Sequence, residues 1–285
     1  IERYGVSNLI IATAMSGVML FLMGFFRLGT LIRFIPVAVV IGFTNGIAAL
    51  VALSQIKDFL GLQISAMPAN FFGILSALGQ NLHTANLQAL SLAVIALGII
   101  IGWTRFVPKA GLRTKFVTNL SVVPGSIVAL VVTTLAVTVF GMQVDTIGSR
   151  FGGIPSTLPG FSWPAFSWDT ARFLIVPATT LALLGAIESL LCARVADGMI
   201  DDRHNSNQEL MAQGVANFIT PFFGGMPATG TIARTMTNVK SGATSPIAGI
   251  VHALTLLIVI LVAAPLAKNV PLAALAAVLM FVAWN

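Results

Sequence analysis

Two charged residues lie in segments that are otherwise apolar enough to enter a membrane. Glu188 lies within residues 173–193, and Arg234 lies within residues 229–239. Placing a charge at mid-membrane costs about 2.5–3.5 kcal/mol on insertion scales, so such residues usually face a cavity or a partner and carry function. We therefore take these two positions as the start of a candidate site.

Arg234 follows a run of small and flexible residues at 225–233, Gly-Met-Pro-Ala-Thr-Gly-Thr-Ile-Ala. If a short helix begins near Thr229 or Gly230 at mid-membrane, its free N–H groups and the positive end of its dipole face a cavity and bind anions. The guanidinium adds planar donors that suit carboxylate or sulfate, and broken helices of this kind recur in transporters. The alternative is a re-entrant helix whose arginine reaches the interface or pairs with Glu188.

Glu188 is flanked at helical spacing by the small residues Gly185, Ser189 and Cys192. A carboxylate in a low-dielectric environment can take up and release a proton, which would couple proton movement to transport. Glu188 could instead be a permanent counter-ion of Arg234, or it could cap a polar seam between helices. The sequence leaves these alternatives open.

The composition excludes most soluble classes of protein. Of the 285 residues, 57% are apolar and 8% are charged, against about 25% charged residues in a soluble domain. The net charge of +6 is scattered along the chain, so nucleic acid is not the expected partner. One Cys and three His exclude a disulfide framework and disfavour a metal site. The sequence has no Walker, HExxH or GxSxG motif, so we expect no catalytic residue, no cofactor and no enzyme.

Hydropathy places the candidate site in an all-α membrane bundle, since a helix needs about 20 mostly apolar residues to cross a hydrocarbon core of about 30 Å. Two apolar segments, at 229–239 and 271–284, are too short to be ordinary spans. The seven predicted spans are residues 8–26, 34–56, 87–103, 121–140, 173–193, 210–223 and 246–266. Residues 141–172 are predicted to form an interfacial loop in which Trp163 and Trp168 are aromatic anchors.

Lys and Arg residues in alternate loops predict the orientation, because cytoplasmic loops carry the excess of positive charge. The loops after the first, third and fifth predicted spans hold the larger set and are predicted to be cytoplasmic. That set is Arg27, Arg33, Arg105, Lys109, Arg113, Lys115, Arg194 and Arg203, and the opposite set is Arg3, Lys57, Arg150 and Arg172.

Four motifs resemble the sulfate permease (SulP) family of anion transporters, and the likeness extends over essentially the whole chain. They are RLGTLIRFIPVAVVIGFTNGIA at residues 27–48, LGAIESLLC at 184–192, HNSNQEL at 204–210 and GGMPATGTIART at 224–235. Any one of these motifs would be a weak signal, but the four together are specific.

The resemblance implies a fold of fourteen helices in two inverted seven-helix repeats, divided into a core and a gate. On that plan the chain is a fragment covering about helices four to twelve. Residues 1–172 would be the end of the first repeat, with helices four to seven, and residues 173–285 the start of the second, with helices eight to twelve. The cytoplasmic regulatory domain that usually follows in the family would be absent.

The resemblance also implies where the substrate lies, between the facing N-termini of the family's third and tenth helices. The tenth maps onto residues 229–239, and the eighth maps onto residues 173–193. The residues this assigns to anion binding are Thr229, Gly230, Thr231, Ala233 and Arg234. Those assigned to coupling are Glu188, Ser189 and Cys192; the coupled ion is sodium in the bicarbonate branch of the family and a proton in others.

The chain departs from the sodium–bicarbonate branch, whose tenth helix has a small residue at the position of Arg234. A fixed positive charge there reduces the need for a bound sodium ion. The segments AIESLLC at 186–192 and ATSPI at 243–247 resemble the bacterial members that take up C4-dicarboxylates.

Together these observations predict a multi-pass protein of the bacterial inner (plasma) membrane that transports sulfate or a C4-dicarboxylate. Transport is predicted to be secondary active, proton-coupled and of the elevator type. The expected partners are a small inorganic or dicarboxylate anion, a proton, the lipid bilayer and, for the full-length protein, a second copy in a homodimer. Sulfate and dicarboxylate are not distinguished, because both suit an arginine beside a helix end.

Three alternatives remain open from the sequence. The first is an anion channel or exchanger for bicarbonate or chloride on the same scaffold. The second is a membrane scaffold that binds a partner protein. The third is a nucleobase permease, although a neutral ligand would leave Arg234 unexplained.

Overall fold

The computed structural model describes residues 5–30, 37–68, 70–106, 123–155 and 157–284. Its helices are α1 (Gly5–Phe25), α2 (Val37–Leu60), α3 (Phe71–Asn81), α4 (Leu87–Phe106), α5 (Gly125–Phe140), α6 (Ile147–Phe151), α7 (Trp168–Ile200), α8 (Ser206–Ile219), α9 (Ile232–Lys240), α10 (Ile247–Ala267) and α11 (Leu272–Trp284). Short 3₁₀ helices, Leu82–Thr84 and Thr220–Phe223, follow α3 and α8. Within the described ranges the only β contact is an isolated bridge between Thr146 and Pro271. The prediction of an all-α protein is confirmed.

Several helices have the length and composition of membrane spans. Among the described residues, α1, α4 and α7 are long and apolar enough to cross a membrane, and α5, α11 and most of α10 are shorter apolar helices. Their outward faces carry many exposed Leu, Ile, Val and Phe side chains. An apolar exterior of this kind suits lipid rather than water as the surrounding solvent.

Two helices lie where the sequence predicts none. α3 is capped by Asn70, whose side-chain oxygen accepts a hydrogen bond from a backbone N–H of the first turn at 2.6 Å, and it buries Ile74 and Leu78 one turn apart. α6 lies inside the predicted interfacial loop and begins with a capping box between Thr146 and Ser149. Both helices are short and are stabilised at their N-termini by side chains, so a search for 20-residue spans does not find them.

α7 is longer than the predicted span 173–193. It begins after Ser167, whose hydroxyl caps the first turn, and it ends at Asp201, which adopts a left-handed conformation with φ 53°. Trp168 and Arg194 therefore lie on a helix, and the prediction that both lie in loops is wrong. The physical reason is that caps determine where a helix ends, and a helix continues beyond its apolar part if nothing interrupts it.

Some predicted features lie outside the described residues. They are the first residues of the predicted spans 34–56 and 121–140, and the charged residues Arg3, Arg33, Lys109, Arg113 and Lys115. The orientation drawn from the alternation of Lys and Arg therefore stays a prediction.

The chain divides into two compact units, and each unit is formed from two separate stretches of sequence. The first unit comprises residues 1–41 and 158–253, and the second comprises residues 42–157 and 254–285. In the first unit α1 packs against both α7 and α8, and α9 packs against α7. In the second unit α4, α5 and α11 pack together.

In the first unit α1 and α8 approach one another backbone to backbone. A Cβ added at Gly214 would lie 2.4 Å from the Phe21 nitrogen, and one added at Gly17 would lie 2.5 Å from the Phe218 nitrogen. Only glycine fits at such distances, and small residues commonly allow this close approach in membrane proteins. The adjoining core is formed by buried residues of α1, α7 and α8, namely Leu20, Ala182, Ala186, Leu190, Leu191 and Leu210.

The second unit has an alanine-rich core and an ion pair between two of its elements. The buried core residues are Ala89, Ala93, Ala96, Ile100, Ala129, Ala273, Ala274 and Ala277. The small alanine side chains let α4, α5 and α11 pack closely. Arg150 of α6 pairs with Asp58 of α2 at 2.5 Å.

Candidate functional site

The segment between α8 and α9 crosses α7 at Ser189, a buried residue with 1% of its surface exposed. The hydroxyl oxygens of Ser189 and Thr229 lie 2.9 Å apart, and the Thr229 hydroxyl donates to the Gly185 carbonyl at 3.2 Å. The Gly230 N–H donates to the Ser189 hydroxyl at 3.3 Å. The structure therefore brings together two residues predicted for anion binding and one predicted for coupling.

Gly230 lies too close to α7 to carry a side chain without displacement. An added Cβ would lie 3.1 Å from the Cys192 Cβ and 3.2 Å from the Ser189 Cα. Backbone contact at this distance is a common reason for glycine at a functional position.

A second polar contact joins α7 to α9 beyond Gly230. The Cys192 sulfur and the Thr235 hydroxyl oxygen lie 2.8 Å apart, and Cys192 is 4% exposed. The sequence predicted Cys192 but gave no role to Thr235. The thiol forms no disulfide and is buried, so it packs and hydrogen-bonds rather than facing solvent.

Two residues of α8 that were not predicted from the sequence also hold this segment. The Asn217 side-chain amide donates to the Ala228 carbonyl at 2.8 Å and accepts from the Ala228 N–H at 2.8 Å. The Gln213 amide also donates to the Ala228 carbonyl. The available signal was their spacing, since two amides four residues apart share one face of a helix.

α9 begins at Ile232, with Thr231 as the preceding N-cap residue. This is later than the predicted start near Thr229 or Gly230, because hydrogen bonds to α7 hold those two residues outside the helix. The first helical N–H groups have no acceptor within a helix, and the Thr231 side chain makes no capping bond to them. Arg234 is the third residue of α9, so its charge adds to the positive end of the helix dipole.

Arg234 and Thr231 are exposed, and Glu188 is half-buried beside Ser189 on α7. Among the described residues the ion pairs are Asp58–Arg150 and Asp197–His204, so Arg234 and Glu188 are not paired with each other. The alternative that Glu188 is a permanent counter-ion of Arg234 is therefore not found. The side chain of Ala233, the remaining residue predicted for anion binding, lies outside the described part of the structure.

The turn between α7 and α8 is held by several hydrogen bonds. The Nδ1 of His204 lies 2.7 Å from a carboxylate oxygen of Asp197, and its Nε2 lies 2.9 Å from the Ser206 hydroxyl. The backbone N–H of His204 also donates to a carboxylate oxygen of Asp197 at 3.0 Å. These bonds join the end of α7 to the start of α8 and so support the two helices that hold the α9 segment.

The assembled site offers hydrogen-bond donors and a positive charge. Donors come from the first turn of α9 and the guanidinium of Arg234, an arrangement that binds oxyanions. Within the described ranges no group of three or more His, Cys, Asp and Glu side chains could hold a metal ion.

Comparisons with known protein families and with individual relatives agree on one family. The model of the Sulfate permease family matches residues 2–285. YvdB of Bacillus subtilis (strain 168), whose name gives it a provisional role as a sulfate transporter, is 46% identical over 286 residues, covering 100% of this chain and 52% of YvdB. The bicarbonate transporter BicA of Synechocystis sp. (strain ATCC 27184 / PCC 6803 / Kazusa) is 35% identical over 266 residues, covering 93% of this chain and 44% of BicA.

Solved structures agree on the fold. The transmembrane domain of a cyanobacterial bicarbonate transporter BicA matches with a TM-score of 0.81 and 32% identity, covering 99% of this chain and 69% of that chain. SLC26A9 matches with a TM-score of 0.79 at 20% identity, covering 99% of this chain and 43% of that chain, which shows a shared fold alone. The chain spans about half the length of the relatives it matches in sequence.

Proposed function

The chain belongs to the sulfate permease family and is a multi-pass membrane protein, and on this basis we propose that it serves a secondary active transporter of small anions. The proposed substrates are sulfate or a C4-dicarboxylate, and the proposed location is a bacterial inner membrane. Sulfate is supported by the family and by the name of YvdB. The dicarboxylate is supported by the guanidinium of Arg234, whose paired donors match a carboxylate.

The observation that carries this proposal is the geometry at the start of α9. The segment before it is tied to α7 through Ser189, and Arg234 follows in the first turn, exposed and without an ion-pair partner among the described residues. An unneutralised arginine beside free helix N–H groups favours a bound anion over an internal counter-ion.

Glu188 is the proposed coupling group. It precedes Ser189, whose hydroxyl contacts both Thr229 and Gly230, so a change of charge at Glu188 acts next to the anion site. In the proposed cycle an external anion binds at α9 while Glu188 is protonated, and release follows deprotonation on the cytoplasmic side. Arg234 supplies a fixed positive charge, which favours a proton over a sodium ion as the coupled species.

The two compact units support alternating access of the elevator type. Each unit draws on both halves of the sequence, as expected if a core and a gate each contain helices from both repeats. The residues proposed for anion binding and for coupling all fall within the first unit, which would be the core that carries the substrate.

The proposal is tested by uptake into proteoliposomes under an imposed proton gradient. Arg234→Ala is expected to abolish concentrative uptake of radiolabelled sulfate or succinate while leaving expression intact. Lys240→Ala is the matched control, since Lys240 is an exposed cation in the last turn of the same helix. Uptake by Arg234→Ala equal to that of the control would contradict the assignment of the site.

A second candidate substrate is bicarbonate, which is favoured by the similarity to BicA. The same liposomes distinguish it, with labelled bicarbonate in place of sulfate. Electrical recording separates a transporter from a channel on the same scaffold, because a channel gives large currents without accumulation.

A further inference from the structure

The backbone of Ala228 is held by side chains of α8 through both of its hydrogen-bonding groups. Asn217 accepts from the Ala228 N–H and donates to the Ala228 carbonyl, each at 2.8 Å, and Gln213 donates to the same carbonyl. A side chain that satisfies both groups of one residue fixes its position and its orientation. Asn217 is 2% exposed, so water does not replace these bonds.

The hydrogen bonds of Asn217 and Gln213 form a clamp on the Ala228 backbone. α8, which carries both side chains, supports this clamp rigidly. A Cβ on Gly17 of α1 would lie 2.8 Å from the Asn217 carbonyl carbon, and one on Gly214 would lie 2.4 Å from the Phe21 nitrogen. The backbones of α1 and α8 are therefore in direct contact beside Asn217, so this part of α8 cannot shift towards α1. Packed helices with no free space between them move as one body.

Ala228 immediately precedes the residues that α7 holds. Ser189 contacts Thr229 and the Gly230 N–H, and α9 begins two residues after Gly230, at Ile232. The path into α9 is thus held both by α8 and by α7. If the hold from α8 is lost, the contacts with α7 at Gly185, Ser189 and Cys192 must fix the direction in which α9 begins.

We infer that Asn217 is a positioning residue for the anion site: its amide, carried on the rigid α1–α8 pair, fixes Ala228 and thereby orients the first turn of α9 and Arg234. The inference rests on the proposed function, because it concerns the same anion site. Asn217 itself need not touch the anion. Preorganised donors bind more tightly than donors that must be ordered on binding.

A positioning role and a purely structural role differ in what they change. Loss of positioning weakens anion binding, so Asn217→Ala is expected to raise the KM for anion uptake about tenfold, which corresponds to about 1.4 kcal/mol. The kcat is expected to stay within about twofold of wild type, since the clamp lies inside one compact unit. A purely structural role would lower the amount of folded protein and leave the KM of the remaining protein unchanged.

The experiment measures KM and kcat for sulfate and succinate uptake in proteoliposomes, normalised to folded protein. Asn217→Asp keeps the acceptor for the Ala228 N–H but loses the donor, so its KM is expected to rise as well. Gln213→Ala leaves both Asn217 bonds in place, and its KM is expected to rise only about threefold. Thr13→Ala is the matched control, because Thr13 is fully buried in α1 and bonds only within its own helix, to Leu9.

A KM for Asn217→Ala equal to that of Thr13→Ala, in a protein whose wild type takes up the anion, would overturn the positioning role alone. If the wild type accumulates none of the anions, the proposed function fails and the positioning role fails with it. If Asn217→Ala does not fold, Asn217→Asp and Gln213→Ala decide, and an unchanged KM in both overturns the inference.

Discussion

At the scale of single residues, the site depends on how closely Gly230 approaches α7. Its N–H reaches the Ser189 hydroxyl at 3.3 Å, and the Cys192 Cβ lies 3.1 Å from where a side chain would begin. Ser189 and Cys192 are both buried, so neither can move aside into solvent. The glycine therefore fixes how near the start of α9 lies to α7.

Gly230→Ala is expected to push the start of α9 away from α7. We expect the KM for anion uptake to rise at least about tenfold and the free energy of unfolding to fall by about 1–3 kcal/mol, as for other overpacked sites. Gly198→Ala on α7 is the control, since an added Cβ there meets nothing within 4 Å. Equal KM values in the two variants would show that the close approach does not matter for binding.

Residue types in the sequence point to part of this candidate site but not to all of it. Glu188 and Arg234 could be found because a charge in an apolar segment is costly. Asn217 and Gln213 could not be found in the same way, because uncharged amides are common in membrane helices and their partner is the backbone of Ala228. A sequence does not specify which backbone a side chain meets.

At the scale of elements, α1 and α8 make a close backbone contact. The GxxxG spacings at Gly42–Gly46 and Gly98–Gly102 suggest close packing, yet added Cβ atoms at these four glycines meet nothing within 4 Å in the described structure. Close contacts between helices lie instead at glycines outside these spacings, among them Gly17 and Gly214. The spacing of glycines identifies helix faces that carry small residues. Which of these faces packs against a neighbouring helix is decided by the tertiary fold.

Gly214→Ala is expected to separate α1 from α8, because its Cβ would lie 2.4 Å from backbone. We expect a loss of about 3 kcal/mol or more in the free energy of unfolding, at the upper end for overpacking. Thermal unfolding in detergent measures the effect, with Gly102→Ala as the control, which has open space in the described structure. A thermal midpoint equal to that of the control would mean that the two helices are not held by this contact.

At the scale of the whole molecule, the scarcity of charged residues is what first indicates a membrane protein. Only 8% of the residues are charged, and most of these charges lie in loops or near helix ends. Glu188 and Arg234 are the two that we propose to act in transport. The helices were largely predictable from hydropathy, whereas the grouping into units was not. Residues 1–41 and 158–253 are far apart in sequence but form one unit, and only packing reveals this.

Glu188→Gln tests whether the molecule couples uptake to a proton gradient. The amide cannot change its charge, so we expect uptake to continue only to equilibrium and to lose its dependence on an imposed proton gradient. Glu209→Gln is the control, since Glu209 is a half-buried acid in the same unit. Full gradient-dependent accumulation by Glu188→Gln would remove Glu188 from the coupling mechanism.

The most direct test of the anion site at the start of α9 is equilibrium binding of radiolabelled sulfate to the purified protein, with succinate and bicarbonate as competitors. We predict saturable binding by the wild type and by Lys240→Ala, and a dissociation constant at least about tenfold higher for Arg234→Ala. Binding by Arg234→Ala with the affinity of the wild type would contradict the account.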